Sequence, residues 1–314
     1  MSLRIWILPA ALVVAAAQEP PTIKVEVTLV NLTATVLDRA GHPVAGLKKD
    51  DFIVYEDGVP QEIAVFRNDE DLPVSVGIVF DTSGSMVDKI DDVRDAVIHF
   101  VNTINAADDI FIMQFSTGTL LVQDFTADRR QLRGAVERLR AAGSTSLYDG
   151  IISGLQHLRG GRHRRKALLV ITDGNDTSSE VDLQQAVDFA IRSEVPIYCL
   201  GIGHGGRGSL GHLEGAFRDT VDVDALRAFS NVTGGRTFVL QGPHHKRGVD
   251  QIDQACQQVA TELRQQYTVG YYPTSTKGSP LYRRIRVKMR TGNFRVRARD
   301  GYFASPPATG TPLP

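Results

Sequence analysis

The stretch that decides the fold is Val74–Met86, VSVGIVFDTSGSM. Val76 to Phe80 is short, apolar and free of charge, which suits a strand buried on both faces. The run stops at Asp81-Thr82-Ser83-Gly84-Ser85. From Met86 to Thr103 apolar residues recur at helical spacing: Val87, Ile90, Val93, Val97, Phe100 and Val101. Asp81, Ser83 and Ser85 are therefore expected on a tight strand-to-helix loop. One carboxylate and two hydroxyls at alternate positions can turn toward one point. Hard oxygen donors of this kind suit a hard dication such as Mg²⁺.

Working outward, buried strands are expected at Val74–Phe80, Asp109–Phe115, Lys166–Thr172, Val195–Gly201 and Thr237–Leu240. Helical patterns fall between them at Val87–Thr103, Arg129–Ala141, Leu147–Leu158, Asp182–Ser193 and Val223–Val232, and a further one spans Gly248–Gln266. Leu120–Gln123 follows its predecessor after only four residues, too few for a parallel crossover, so it reads as an antiparallel edge strand. The alternation predicts an α/β fold with a doubly wound, mostly parallel sheet. Ligands of such sheets collect beyond the carboxyl ends of the strands, where Asp81 and Asp173 fall.

Asp81-x-Ser83-x-Ser85 after a buried strand resembles the metal-ion-dependent adhesion site of the von Willebrand factor type A domain. Two later stretches complete the resemblance in order: Gly143-Ser144-Thr145-Ser146-Leu147-Tyr148-Asp149-Gly150 and Ala167-Leu168-Leu169-Val170-Ile171-Thr172-Asp173-Gly174. It covers about Leu72 to Gln266 and implies Asp81, Ser83, Ser85, Thr145 and Asp173 as metal ligands. Mg²⁺ is the implied ion, with Mn²⁺ as the alternative and Ca²⁺ a poorer fit. The last coordination position would go to an acidic side chain of a partner protein. Asp149 and Asn175 adjoin the ligands and are candidates for orienting hydroxyls or water; helix capping by Asp149 and a turn role for Asn175 serve equally well.

The chain ends read differently. Residues 1–17 carry Arg4 and the apolar run Ile5 to Ala17, ending Ala15-Ala16-Ala17, which predicts a cleaved signal peptide and a secreted or periplasmic protein. No later segment is apolar enough to predict a membrane span. Residues 18–72 alternate in the manner of strands, with a hairpin signal at Asp57-Gly58 between Asp51–Tyr55 and Gln61–Phe66. Tyr267–Tyr272 is a further strand, and Tyr282–Met289 is expected to form a hairpin with Phe294–Ala298. Arg284, Arg286, Lys288 and Arg290 line the polar face of that hairpin, continued by Arg295, Arg297 and Arg299. Residues 18–72 hold 11 acidic and 5 basic residues, and 267–314 hold 9 basic and 1 acidic. Each end is too small for its own core. Opposite charge therefore predicts that 18–72 and 267–304 pair into one β-rich domain, with 73–266 inserted and 305–314 a disordered tail. Secreted bacterial type A proteins with short β flanks are similar in layout.

Net charge is −1, which gives no pull toward nucleic acid or membrane. Cys199 and Cys256 are too few for a disulfide framework and leave one bridge open. His204 and His212 lie in the Gly-rich stretch His204 to Val221, without carboxylate or thiol at ligand spacing. Arg159 to Lys166, RGGRHRRK, reads as a solvated loop at the sheet end opposite Asp173. The expected function is therefore cation-dependent protein binding, in adhesion or scaffolding, and not catalysis. Two alternatives stay open: a metal-dependent hydrolase of phosphate esters, and polyanion binding by the basic C-terminal hairpin. A hydrolase would need a phosphate clamp, yet Gly201-Ile202-Gly203-His204-Gly205-Gly206 lacks the Walker lysine, and no Gly-x-Ser-x-Gly elbow precedes a suitable His. The sequence does not specify an oligomeric state.

Overall fold

The structure is a computed structural model that describes residues 29–68, 70, 72–173, 175–203, 221–241, 246–274 and 282–304. The expected signal peptide, the His204–His212 stretch and the tail lie outside the described residues.

The chain opens with four strands, β1 (Val30–Leu37), β2 (Phe52–Glu56), β3 (Val59–Gln61) and β4 (Ile63–Asn68). The α/β unit follows: β5 (Val74–Asp81), α1 (Ile90–Thr103), β6 (Asp109–Phe115), β7 (Thr119–Thr126), α2 (Arg129–Arg138) and α3 (Leu147–Leu158). It continues through β8 (Arg165–Thr172), α4 (Leu183–Ser193), β9 (Ile197–Gly203), α5 (Val223–Thr233), β10 (Arg236–Gln241) and α6 (Lys246–Arg264). Four strands close the chain: β11 (Tyr267–Tyr271), β12 (Tyr282–Met289), β13 (Arg295–Arg297) and β14 (Gly301–Phe303).

The central sheet has six strands in the order β10-β9-β8-β5-β6-β7, parallel except for β7, which pairs antiparallel with β6. The edge strand and the doubly wound sheet are thus as expected. All of β5 is buried because its side chains alternate between two apolar layers. Val76, Ile78 and Phe80 pack with α1, α2 and α6, while Val79 packs with α3, α4 and α5. Strand order reverses between β5 and β8, which opens a crevice at their carboxyl ends.

Strands from both chain ends form two further sheets, β13-β1-β11-β4 and β14-β12-β2-β3. Val30, Leu32, Val36, Phe52, Val54, Tyr267, Val269 and Ile285 fill a core between them. Ends of opposite charge meet there: Glu56, 3% exposed, accepts from Arg283 Nη1 at 2.6 Å, from the Tyr271 hydroxyl at 2.7 Å and from the Tyr302 hydroxyl at 3.0 Å. The α/β unit leaves and re-enters this sandwich through neighbours, since β4 and β11 pair with Asn68 opposite Tyr267.

Several details depart from the sequence reading. The turn at Asp57-Gly58 is present, with φ of 48° and 84°, but its second strand is only Val59–Gln61. Pro60 has no N–H to give a further neighbour, so β3 ends its sheet, and Ile63–Asn68 crosses to the other one. Tyr282–Met289 and Phe294–Ala298 do not form a hairpin: β12 pairs with β2 and β14, and β13 pairs with β1. Phe294 and Val296 turn into the sandwich core, and that burial takes the chain from one sheet to the other. The basic face is consequently split. Arg284, Arg286, Lys288 and Arg290 are exposed, but Arg297 pairs with Glu262 of α6, and Arg299 pairs with Glu194 at the end of α4. Finally, α1 begins at Ile90 instead of Val87, behind a 3₁₀ turn over Gly84–Met86.

Cys199 and Cys256 are both free thiols. They lie in the apolar layers on opposite faces of the sheet, and burial pushes each thiol up to about 12. The Arg159–Lys166 cluster is only partly solvated. Arg164 is exposed, but Arg165 donates to Leu72 O at 2.9 Å and to Gln266 Oε1 at 2.8 Å, fastening β8 to both borders of the inserted unit.

Candidate metal centre

Asp81 is the last residue of β5, and Asp173 follows the last residue of β8. Those strands are neighbours, so two carboxylates distant in sequence flank one crevice. The Ser83 N–H donates to Asp81 Oδ1 at 2.8 Å, which folds the loop back onto its own aspartate. Ser83 Oγ and Ser85 Oγ lie 3.0 Å apart, and the Ser85 hydroxyl donates to Asp173 Oδ1 at 2.8 Å. Asp81, Ser83, Ser85 and Asp173 therefore form one continuous chain of polar contacts across the switch point.

Thr145 arrives on a loop held from both sides. Gly84 N–H donates to Gly143 O at 2.9 Å, and Ala142 N–H donates to Thr82 O at 2.7 Å, which pins this loop on the first. Gly143 has φ of 90°, in the left-handed region that favours glycine. Thr145 O accepts from Thr177 N at 2.8 Å, and Thr145 N–H donates to Thr177 Oγ1 at 3.0 Å, which joins the segment after Asp173 to the same loop. Thr145 is 6% exposed.

The two outer candidates separate. Asp149 Oδ2 accepts from Glu180 N at 2.9 Å, so Asp149 fastens the segment after Asp173 to the start of α3. Asn175 is exposed. Its neighbour Asp176 takes the holding role, accepting from Tyr148 N at 3.2 Å and from the Ser179 hydroxyl.

Electrostatically, Asp81 is buried and meets no cationic partner among the described residues. The Asp81 carboxyl is 0% exposed. Burial, opposed by hydrogen bonds from Thr172 and Ser83 and helped by the nearby Asp173 charge, pushes it up to about 6. Its second oxygen accepts from the Thr172 hydroxyl at 2.6 Å. No group of three or more His, Cys, Asp or Glu side chains is arranged for a metal among the described residues, so any cation site here is of the mixed carboxylate–hydroxyl kind. Such donors fit a hard dication.

One charged group escaped the sequence reading. Lys89, just before α1, is 0% exposed and forms an ion pair with Asp173 Oδ2. Its signal was phase: it lies three residues after Met86 and four before Val93, on the face that those buried residues share.

The α/β unit thus gathers hydroxyls and carboxylates at its switch point. Residues 75–240 match the family model of the von Willebrand factor type A domain, and the chain belongs to that family. Domains of this family act in protein–protein adhesion and binding and commonly hold a divalent metal at the adhesion site. Rat inter-alpha-trypsin inhibitor heavy chain H3 is 30% identical over 149 residues, covering 42% of this chain and 17% of that protein. An uncharacterized protein of Borreliella burgdorferi is 27% identical over 138 residues, covering 41% of this chain and 40% of that one. The chain therefore matches less than half the length of either relative. Among solved structures, a von Willebrand factor type A protein from Catenulispora acidiphila superposes with a TM-score of 0.51 at 14% identity, over 87% of this chain and 71% of that one. That likeness is one of fold. No helix among the described residues is long and apolar enough to cross a membrane.

Proposed function

We propose that this chain is an exported protein-binding module whose inserted unit recognises an acidic residue of a partner through a divalent cation held by Asp81, Ser83, Ser85, Thr145 and Asp173. The observation that carries the reading is the unbroken contact chain from Asp81 through Ser83 and Ser85 to Asp173. It brings together donors from two loops, and a third loop is hydrogen-bonded against them.

The residues divide the work. Asp81 and Asp173 supply the negative charge that attracts a dication. Ser83, Ser85 and Thr145 add oxygen without charge, so the site does not over-neutralise what it holds. Asp149 and Asp176 fix the segment after Asp173 and keep its carboxylate in place. When bound, Mg²⁺ or Mn²⁺ supplies an electrophilic centre that takes a further carboxylate oxygen. Export rests on the signal-like residues 1–17.

Calorimetry of Mg²⁺ and Mn²⁺ with the wild type and Asp81→Ala tests the reading. The wild type is expected to bind one ion and the variant to lose at least about tenfold in affinity, more than 1.4 kcal/mol. A wild type that takes up neither ion would overturn it. Hydrolysis of a generic phosphate ester, dependent on Asp81 and Mg²⁺, would move the assignment to an enzyme.

A further inference from the structure

We infer that Lys89 is a built-in counter-cation of the candidate metal site, competing with the dication for Asp173 and raising the metal concentration at which the site fills. The inference rests on the metal-site reading above and adds what sets its affinity.

Lys89 occupies a position adverse to it on two counts. Its side chain is fully buried, and an ammonium in a dry interior is costly unless it is paired and hydrogen-bonded. It also caps the start of α1, where the helix dipole disfavours a cation and where Ser, Thr, Asp or Asn is the usual residue. No side-chain cap hydrogen bond is made there. The compensation is Asp173, whose carboxylate is itself 0% exposed. Lys89 holds Oδ2 of that carboxylate while Ser85 holds Oδ1, so both oxygens of a candidate ligand are engaged. Among the described residues Asp81 meets no such cation: its oxygens accept from Ser83 N–H and the Thr172 hydroxyl, both neutral.

Charge then sets the outcome. With Lys89 the two carboxylates, Asp81 and Asp173, share the pocket with one basic side chain. Without it the two carboxylates would have no basic side chain opposing a dication. A dication entering a buried site feels that difference with little screening. To bind Asp173 through Oδ2 it must also displace the ammonium or share the oxygen with it. Lys89 thus holds Asp173 in place before metal arrives, at the expense of affinity. A site built this way fills at a higher dication concentration than the same site without the lysine.

The test is calorimetric titration of the full chain with Mn²⁺ and Mg²⁺, comparing wild type, Lys89→Met and Lys89→Arg. Circular dichroism checks that each variant is folded. Lys89→Met, which keeps the chain length but not the charge, is expected to bind Mn²⁺ at least about tenfold more tightly. Lys89→Arg, which keeps the charge, should stay within a few-fold of wild type. A second reading follows melting temperature: in chelator Lys89→Met should melt below wild type, and excess Mn²⁺ should raise its melting point by more than it raises that of wild type. A merely structural lysine would change the first quantity and leave metal affinity alone. Equal or weaker Mn²⁺ binding by Lys89→Met, with wild type binding normally, overturns the inference while the metal site stands. Absence of binding in every protein, including wild type, removes the metal site itself. Should Lys89→Met not fold, Lys89→Gln takes its place with the same expectation.

Discussion

Replacing Asp81 by Asn should make the metal-free protein more stable at neutral pH. The carboxyl is completely buried and pushed from an ordinary 3.8 up to about 6, chiefly by loss of water. A folded-state value above the unfolded one means that the native protein prefers the protonated form. That preference contributes fully below pH 3.8 and is lost as pH rises through about 6. Above that, the wild type holds an ionised carboxylate in a dry pocket, at a cost of about 3 kcal/mol. The amide of Asp81→Asn is the same size. It can still accept from Ser83 N–H on one side and donate to Thr172 Oγ1 on the other, so the two contacts at 2.8 and 2.6 Å survive with one polarity reversed. The variant should match wild type near pH 4 and gain about 2–3 kcal/mol by pH 7. Native-state hydrogen exchange of β5 and β8 amides in chelator is the suitable assay, because it reports on the inserted unit and not on the sandwich. Excess Mg²⁺ should erase the difference by stabilising only the carboxylate form. A variant less stable than wild type at neutral pH, or a gain that does not vary with pH, would refute the argument.

Two further outcomes concern how the parts are joined. Glu262 of α6 is 1% exposed and meets Arg236 of β10 and Arg297 of β13 at once. Glu262→Ala leaves two guanidinium groups facing each other at the seam, and should cost about 3 kcal/mol, with β13 and α6 losing hydrogen-exchange protection first. A loss under about 1 kcal/mol would show that water can take the place of Glu262. In the sandwich, Glu56→Leu and Arg283→Met should each cost about 3 kcal/mol in urea denaturation, because each strands a buried charge. The double variant should lie closer to wild type than either single one; strictly additive losses would sink that account.

The central sheet was legible because its strands are apolar on both faces and its helices on one. β6 and α3 begin and end where the pattern does, and β5 and β8 differ from it by a single residue. Asp81 and Asp173 were legible for the same reason, since each stands where an apolar run breaks. The flanking strands were harder. Alternation fixes which face a residue takes but not which strand lies beside it. The turn at Gly292, with φ of 81°, has the look of a hairpin, yet burial of Phe294 and Val296 in the sandwich carries the chain across. Arg297 and Arg299 keep the same alternation as the exposed arginines, and only the presence of α6 and α4 behind them turns them into ties. Lys89 was missed because a lysine is ordinarily assigned to solvent, and its partner lies 84 positions away.

The adjacency of β4 and β11 also bears on how the protein assembles. The two strands are hydrogen-bonded neighbours, Asn68 against Tyr267, but the ribosome makes them on either side of an entire domain. Closing so long a loop costs on the order of 3 kcal/mol more than closing a tight hairpin. An insert that folds first and brings its own ends together removes most of that cost. Topology then favours one order for this pairing: the inserted unit first, and the β4–β11 contact after it. A lesion at the heart of the inserted unit would therefore register as slow closure of a sandwich it never touches.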